Sequence, residues 1–259
     1  MYKTPLRPLG IEITGVDVRQ LKAPALRDVA ELIARSRVAV FRQQAIDDAE
    51  FVHFLSGLGE LTFTAGEQPV NHAPDLNIVS NLGRLTPPRS VFHTDTSYVQ
   101  RPPALTGLRP VILPANGGDT LFSDQVGAAS RLPQDVRRRL LGQDVLHKAS
   151  GLEDQSSAVR QPLLRRHPIT EETSLYLSTP QRCTDINNLD TQTSQRLIAA
   201  LYWHSTRASL LYRHQWKAGD LLIWDNRVTM HRADHGSSTA PRLLHRGMVL
   251  GEIPLFAPC

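Results

Sequence analysis

His93-Thr94-Asp95, inside the stretch VFHTDTSY (91–98), sets an imidazole and a carboxylate two residues apart in a β-branched and aromatic setting. In a strand, residues i and i+2 project from the same face, so this segment can offer a ring nitrogen and a carboxylate oxygen to a common point. Those are two ligands of a metal site. Alone the pair discriminates poorly: with ten histidines and 25 acidic residues in 259, roughly one H-x-[DE] arises by chance. Most of the other histidines read as structural. His53 and His204 fall in helix-like stretches, and His147, His167, His214 and His245 in strand-like ones, where a lone imidazole usually packs or hydrogen-bonds.

The elements around the pair are mostly short and β-like. Near the N-terminus GIEITGVDV alternates as a strand, Ala23 to Ser36 has helical spacing, VAVFR (38–42) reads as a buried strand, and Asp47/Asp48 can cap a helix through Leu58. From Leu76 onward come LNIVS, VFHTDTSY, ALTGLRPVIL, GDTLFSD, DVLHK, PLLRRHP, TSLYLST, SLLYRHQW, DLLIWDN and RLLHRGMVLGE, with turn residues between them. Helical stretches are expected at about 126–141 and 191–204. Many short strands without regular βαβ alternation predict a mainly β fold with flanking helices, a double-stranded β-helix or jelly roll, and argue against a Rossmann fold. The expected organisation is a single domain over 1–259, with its jelly-roll core at about 76–256 and helical packing at about 23–58, 126–141 and 191–204.

Around this frame lie GGDTLF (117–122), GDLLIWDNRVTMHRA (219–233), and Arg242 and Arg246, eleven and fifteen residues after His231. Together with H-x-D these motifs resemble the TauD/TfdA family of Fe(II)- and 2-oxoglutarate-dependent dioxygenases, and the similarity runs from about Gly10 to Phe256. The resemblance implies that His93, Asp95 and His231 bind Fe(II), and that Thr120 and Arg242 bind 2-oxoglutarate. Two imidazoles and a carboxylate on one face of an octahedron leave three cis positions for co-substrate and O2. A planar guanidinium suits the far carboxylate better than an ammonium does. The implied reaction is hydroxylation of a small anionic substrate (sulfonate, alkyl sulfate, aryloxyalkanoate or other carboxylate), with release of succinate and CO2.

Arg246 falls two strand steps from Arg242, with His245 pointing away, so both guanidiniums should face one cavity. By the same resemblance Arg246 and His72, in PVNHAPD, are candidates to grip the substrate. Arg89 stands just before the first ligand, where relatives carry other residues, and is a third candidate. Loops at 84–90 and 150–158 are expected to cover the site. Trp216, Trp224 and Phe122 should pack in the core or shape the pocket. Asp119, Asp124, Asp220 and Asp225 should bond local backbone at turns and strand ends. The same set of two histidines and one aspartate could serve a zinc-dependent hydrolase, which is the alternative function.

Composition narrows the partners. A net charge of +4 could suit nucleic acid, but Arg137-Arg138-Arg139 and Arg165-Arg166 lack interleaved aromatics and read as solvated faces. No nucleic-acid partner is expected, and no membrane one, because the longest apolar runs are far too short to span a bilayer. Residues 1–10 lack the apolar stretch of a secretory signal, so the expected location is cytoplasmic. Cys183 and Cys259 cannot build a disulfide framework and have no nearby partner at metal-ligand spacing, so both read as structurally incidental. A closed homo-oligomer is expected for an enzyme of this size, and the resemblance implies a dimer or tetramer.

Overall fold

The structure is a computed structural model and describes residues 1–83, 90–149, 157–236 and 239–258. The strands in chain order are β1 (Tyr2–Pro5), β2 (Ile11–Thr14), β3 (Val38–Phe41), β4 (Leu61–Thr62), β5 (Pro69–Val70) and β6 (Ala73–Ser80). They continue with β7 (Pro103–Ile112), β8 (Asp119–Asp124), β9 (Asp144–Lys148), β10 (Ala158–Pro162), β11 (Leu164–Arg166) and β12 (Thr173–Leu175). The last six are β13 (Cys183–Ile186), β14 (Leu211–His214), β15 (Leu221–Asp225), β16 (Thr229–Asp234), β17 (Leu243–Leu250) and β18 (Leu255–Phe256). The α-helices are α1 (Ala23–Ser36), α2 (Asp48–Ser56), α3 (Gln125–Ser130), α4 (Gln134–Leu140) and α5 (Thr191–Ser205).

Among the described residues the main sheet runs β1-β2-β3-β15-β7-β17-β6-β5, with β4 added to β17. A smaller sheet, β14-β8-β16, faces it. Leu108, Leu222, Trp224 and Leu244 from the main sheet meet Phe122 and Tyr212 from the smaller one to form the core between the two layers. The jelly roll is thus two sheets closed on a shared interior. Alternation sends Ile223, Leu105 and Val249 to the opposite face of the main sheet, where they pack with Phe51, Leu55 and Ile33 of α1 and α2. The outer face of the smaller sheet, with Leu121 and Met230, is covered by α3, α5 and the strands between them.

Local sequence explains the first helices. α1 starts with a proline in its first turn and buries Val29 and Ile33 at i, i+4 spacing. α2 has a full capping box: Glu50 N donates to Asp47 Oδ1 at 2.8 Å and Asp47 N to Glu50 Oε2 at 2.9 Å. That helix lies against Gly107 and Gly247, which pair across β7 and β17. A Cβ on Gly247 would collide with Leu55 and Leu76, and one on Gly107 would fall 2.7 Å from Ile223 Cδ1. The close seat of α2 fixes the β17 backbone, whose other face carries Arg242 and Arg246.

Three expectations change here. Residues 91–98 are not a strand: His93 alone makes a β-bridge, to His231, and 95–98 form a turn. The reason is tertiary, because the Thr94 hydroxyl donates to Leu177 O at 2.8 Å, Arg182 Nη1 donates to Thr94 O at 3.1 Å, and Thr96 takes a left-handed φ of 41°. The helix expected at 126–141 splits into α3 and α4 around Pro133, which cannot supply the amide a continuous helix needs. Arg165 is not on a solvated face; it is 1% exposed, paired with Glu252 and stacked on Tyr176 at 4.7 Å. Among the described residues no helix is long and apolar enough to cross a membrane.

Candidate metal centre and its cavities

Two hydrogen bonds tie the first ligand segment to the second. His93 N donates to His231 O at 3.0 Å and His231 N to His93 O at 2.9 Å, so the bridge sets two distant imidazoles side by side, ring centroids 4.3 Å apart. Asp95 then turns back toward them. His93 Nε2 and His231 Nε2 each lie 3.7 Å from Asp95 Oδ1, and the ligand atoms of the three residues fall within 4.8 Å of one another. It is the one cluster of three such groups among the described residues.

The protonation states suit a metal. His93 Nδ1 donates to Val91 O at 2.9 Å, which leaves Nε2 as the bare nitrogen facing Asp95. Burial lowers the pKa of His231 to about 3 against the opposing pull of Asp95, and lowers that of His93 as well, so both rings are neutral at physiological pH. Burial alone would raise the Asp95 pKa, but His231, Arg246 and His93 beside it and the Thr106 hydroxyl hold it below the usual carboxylate range. Two neutral imidazoles and one carboxylate form a donor set that needs no deprotonation before a divalent cation binds.

Asp95 is oriented by a chain of hydrogen bonds that the sequence did not signal. Trp224 Nε1 donates to Asn226 Oδ1 at 3.0 Å, Asn226 Nδ2 to Thr106 Oγ1 at 2.7 Å, and the Thr106 hydroxyl to Asp95 Oδ2 at 2.8 Å. Thr106→Val keeps the shape, releases Asp95 and strands the buried Asn226 amide. The expected cost is about 1–3 kcal/mol of stability and roughly 10–100-fold in metal affinity. Thermal melts and metal titration check the two, and a variant that matches wild type in both would remove Thr106 from the support of the site.

A cavity of about 110 Å³ opens at the two histidines, lined by Val79, Leu108, Thr120, Trp224, Ala233, Arg242 and Arg246. A second, about 280 Å³, shares Val79, His93, Ala233 and Arg242 with it and adds Val91 and His235. Both expected arginines therefore line one space. Arg242 Nε donates to Gly118 O at 2.9 Å and Nη2 to Thr120 Oγ1 at 3.4 Å, while Trp216 Nε1 donates to the same hydroxyl at 3.1 Å. Gly118 has a φ of 74°, and a Cβ there would lie 3.1 Å from Arg242 Cδ, so the GGDT turn shapes the seat of the guanidinium. Burial pulls the Arg242 pKa from 12.5 down to about 10, with the charge of Asp119 pulling the other way. Arg242 is a cation held in the interior with no carboxylate bonded to it among the described residues.

Other candidates fare differently. Arg246 is not free: its guanidinium pairs with Glu67, and its Nη1 lies 3.5 Å from Asp95 Oδ1. His72 does not reach the cavities. Its side chain is 72% exposed and its Nε2 bonds Asp48 Oδ2 at 2.7 Å, on the far face of the main sheet beside Arg109 and His245. Arg89 and most of the two covering loops lie outside the described residues. Trp224 and Phe122 flank His231 with ring centroids at 4.5 and 6.2 Å, the packing expected of them. Asp124 does bond backbone, capping α3 through Gly127 N. Asp225 departs further from its expectation, since beyond Arg227 N it bonds the Arg227 guanidinium and His167.

The family profile described as taurine catabolism dioxygenase TauD, TfdA family matches residues 3–248. Among relatives, an alpha-ketoglutarate-dependent 2,4-dichlorophenoxyacetate dioxygenase of Burkholderia sp. (strain RASC) is 29% identical, covering 98% of this chain and 95% of its own. An alpha-ketoglutarate-dependent sulfate ester dioxygenase of Pseudomonas putida is 30% identical over 95% of this chain and 88% of its own. Among solved structures, AAD-2 in complex with Mn(II) and N-oxalylglycine superposes with a TM-score of 0.85 at 26% identity, covering 98% of both chains.

Proposed function

Because this chain belongs to the TauD/TfdA family, whose members here are 2-oxoglutarate-dependent dioxygenases, we propose that its His93, Asp95 and His231 hold Fe(II) for the hydroxylation of a small organic anion. The observation that carries this reading is the convergence of those three ligand atoms within 4.8 Å beside an interior arginine that has no carboxylate partner among the described residues. Sulfonates, sulfate esters and aryloxyalkanoates are the substrate chemistries closest at hand. When bound, Fe(II) supplies the activation of O2 by which one oxygen atom enters a substrate C–H bond and the other enters succinate as 2-oxoglutarate loses CO2.

The chain's own residues bind and orient. Arg242 and the Thr120 hydroxyl receive the far carboxylate of 2-oxoglutarate, since a desolvated guanidinium is completed by an anion of matching geometry. Val79, Leu108 and Trp224 give the space apolar walls, and a lower local dielectric strengthens each charge interaction inside it. Asp95, ionised and fixed by Thr106, balances the cation with its two neutral imidazole partners.

The test is oxygen uptake and succinate formation over a panel of small anions. Both should require Fe(II) and 2-oxoglutarate. Hydrolysis of a panel member with Zn(II) and without oxygen consumption would instead establish the hydrolase alternative.

A further inference from the structure

Arg246 stands at a boundary. Along β17 the residues facing the interior are Leu244, Arg246 and Met248. Arg246 lines the cavity of His231, and Met248 lines a separate one of about 430 Å³ together with Phe63, Thr96, Tyr98, Val99 and Pro103. No charged side chain lines this larger cavity among the described residues. Its polar wall groups are neutral hydroxyls, so recognition of charge falls to the end where Gly66 and Thr96 on its wall adjoin Glu67 and Asp95 in the chain, the two carboxylates that flank Arg246.

Two features of that end bear on what it recognises. The Arg246 guanidinium already lies between two carboxylates, Glu67 and Asp95, so its charge is matched before any ligand arrives. A plain anion there would meet Glu67 as a like charge. Beside Arg246, Asn77 is its direct partner across β6 and β17 and so shares its face of the sheet. Asn77 is 0% exposed, and neither its Oδ1 nor its Nδ2 has a hydrogen-bond partner among the described residues; Arg246 Nε is likewise unpartnered. A buried amide with both ends unmade is costly unless something completes it.

Resting on the metal and 2-oxoglutarate sites proposed above, and narrowing the small organic anion to a carboxylate that also carries an ammonium, we propose that Glu67, Arg246 and Asn77 form a head-group site for an α-amino acid, whose side chain occupies the neutral 430 Å³ cavity. The carboxylate takes the donors of Arg246 and Asn77 Nδ2, while the ammonium donates to Glu67 and Asn77 Oδ1. Glu67 and Arg246 are in direct contact, so the two charges they read must be adjacent in the ligand, as an ammonium and a carboxylate on one carbon are. Neither a simple carboxylate nor a sulfate ester satisfies both members of the pair.

The test is calorimetric binding of matched pairs to the wild-type enzyme loaded with metal and 2-oxoglutarate under nitrogen: norleucine against hexanoate, methionine against 4-(methylthio)butanoate, and phenylalanine against 3-phenylpropanoate. The aminated member should bind at least about tenfold tighter, as expected when a site's buried polar groups would otherwise be left unpaired. Glu67→Gln and Asn77→Leu should each bring that ratio to within about twofold of one. Because the ratio is taken within one variant, a general loss of folding does not mimic the result. Asn77→Leu should also raise the melting temperature of the ligand-free protein, whereas a purely structural asparagine would lower it when replaced.

Equal or tighter binding of the des-amino members, no binding by any aminated probe, a ratio that survives both variants, or a lowered melting temperature for Asn77→Leu overturns the assignment. Succinate formation from 2-oxoglutarate by the wild type without any probe is measured alongside. If it occurs and the amine makes no difference, the dioxygenase reading stands and this one falls; if it never occurs under any condition, the dioxygenase reading itself has failed.

Discussion

Asp95→Asn is expected to abolish succinate formation and to weaken Fe(II) binding by more than about 100-fold, the upper range for loss of an outer-shell partner alone. Asparagine is nearly isosteric, and its side-chain oxygen can still accept from the Thr106 hydroxyl that now bonds Asp95 Oδ2 at 2.8 Å. What disappears is the negative charge. Two neutral imidazoles would then have to hold a divalent cation with Arg246 Nη1 some 3.5 Å from the third ligand and, among the described residues, only Glu67 left to pair with that guanidinium. Metal titration and melting curves recorded with and without Fe(II) separate the two effects: the metal-free melt should shift little, and the metal-dependent gain should vanish. A variant that binds Fe(II) as wild type does would remove Asp95 from the ligand set.

Much of this centre is legible in the sequence, though not by the route expected. The period of a strand pairs His93 with Asp95, whereas the structure makes the segment a turn hung from Leu177 and Arg182, more than eighty residues away. The β-branched and aromatic residues of VFHTDTSY carry a true local preference that tertiary bonds override. Helix Ala23–Ser36 is readable to the residue because its signals are local: a proline in the first turn, apolar spacing on one face, and an end before an inward-facing strand. Pro133 carries a local signal too, a helix break that a single helical stretch over 126–141 does not respect.

The misplacement of His72 has a different origin. Its partner Asp48 lies on α2 and shares that carboxylate with His245 of β17 and with Arg109 of β7, a grouping no spacing in the chain reveals. Asn77 does leave a trace. It is an amide between Leu76 and Ile78 in a strand-like run, at a position the period of two turns inward. The ion pair of Glu67 with Arg246 joins residues 179 apart and leaves none.

Arg242→Leu should weaken 2-oxoglutarate binding by about 2–5 kcal/mol, the cost of truncating one partner of a buried charged pair, or roughly 30- to several-thousand-fold. In the same variant the ligand-free protein should melt at or above the wild-type temperature. The reason lies in the sign of the pKa shift. Burial depresses the Arg242 pKa to about 10, so between pH 10 and its ordinary value the unfolded chain holds the proton more firmly than the folded one. Stability therefore rises with pH across that window, and below about pH 10 the charged guanidinium costs the fold its full penalty. Leucine removes the cation and with it that penalty, offset in part by the hydrogen bond lost to Gly118 O.

The bound dicarboxylate acts in the opposite sense, because an opposite charge nearby favours the charged form and draws the Arg242 pKa back up. Binding then takes up a proton above about pH 10, and affinity should fall there by about tenfold per pH unit; below that pH this group should contribute no dependence. Calorimetric titration of 2-oxoglutarate across pH, with the leucine variant as control, reads both slopes. A 2-oxoglutarate affinity unchanged in Arg242→Leu, or a variant markedly less stable than wild type, would mean that this buried cation serves the fold and not the co-substrate.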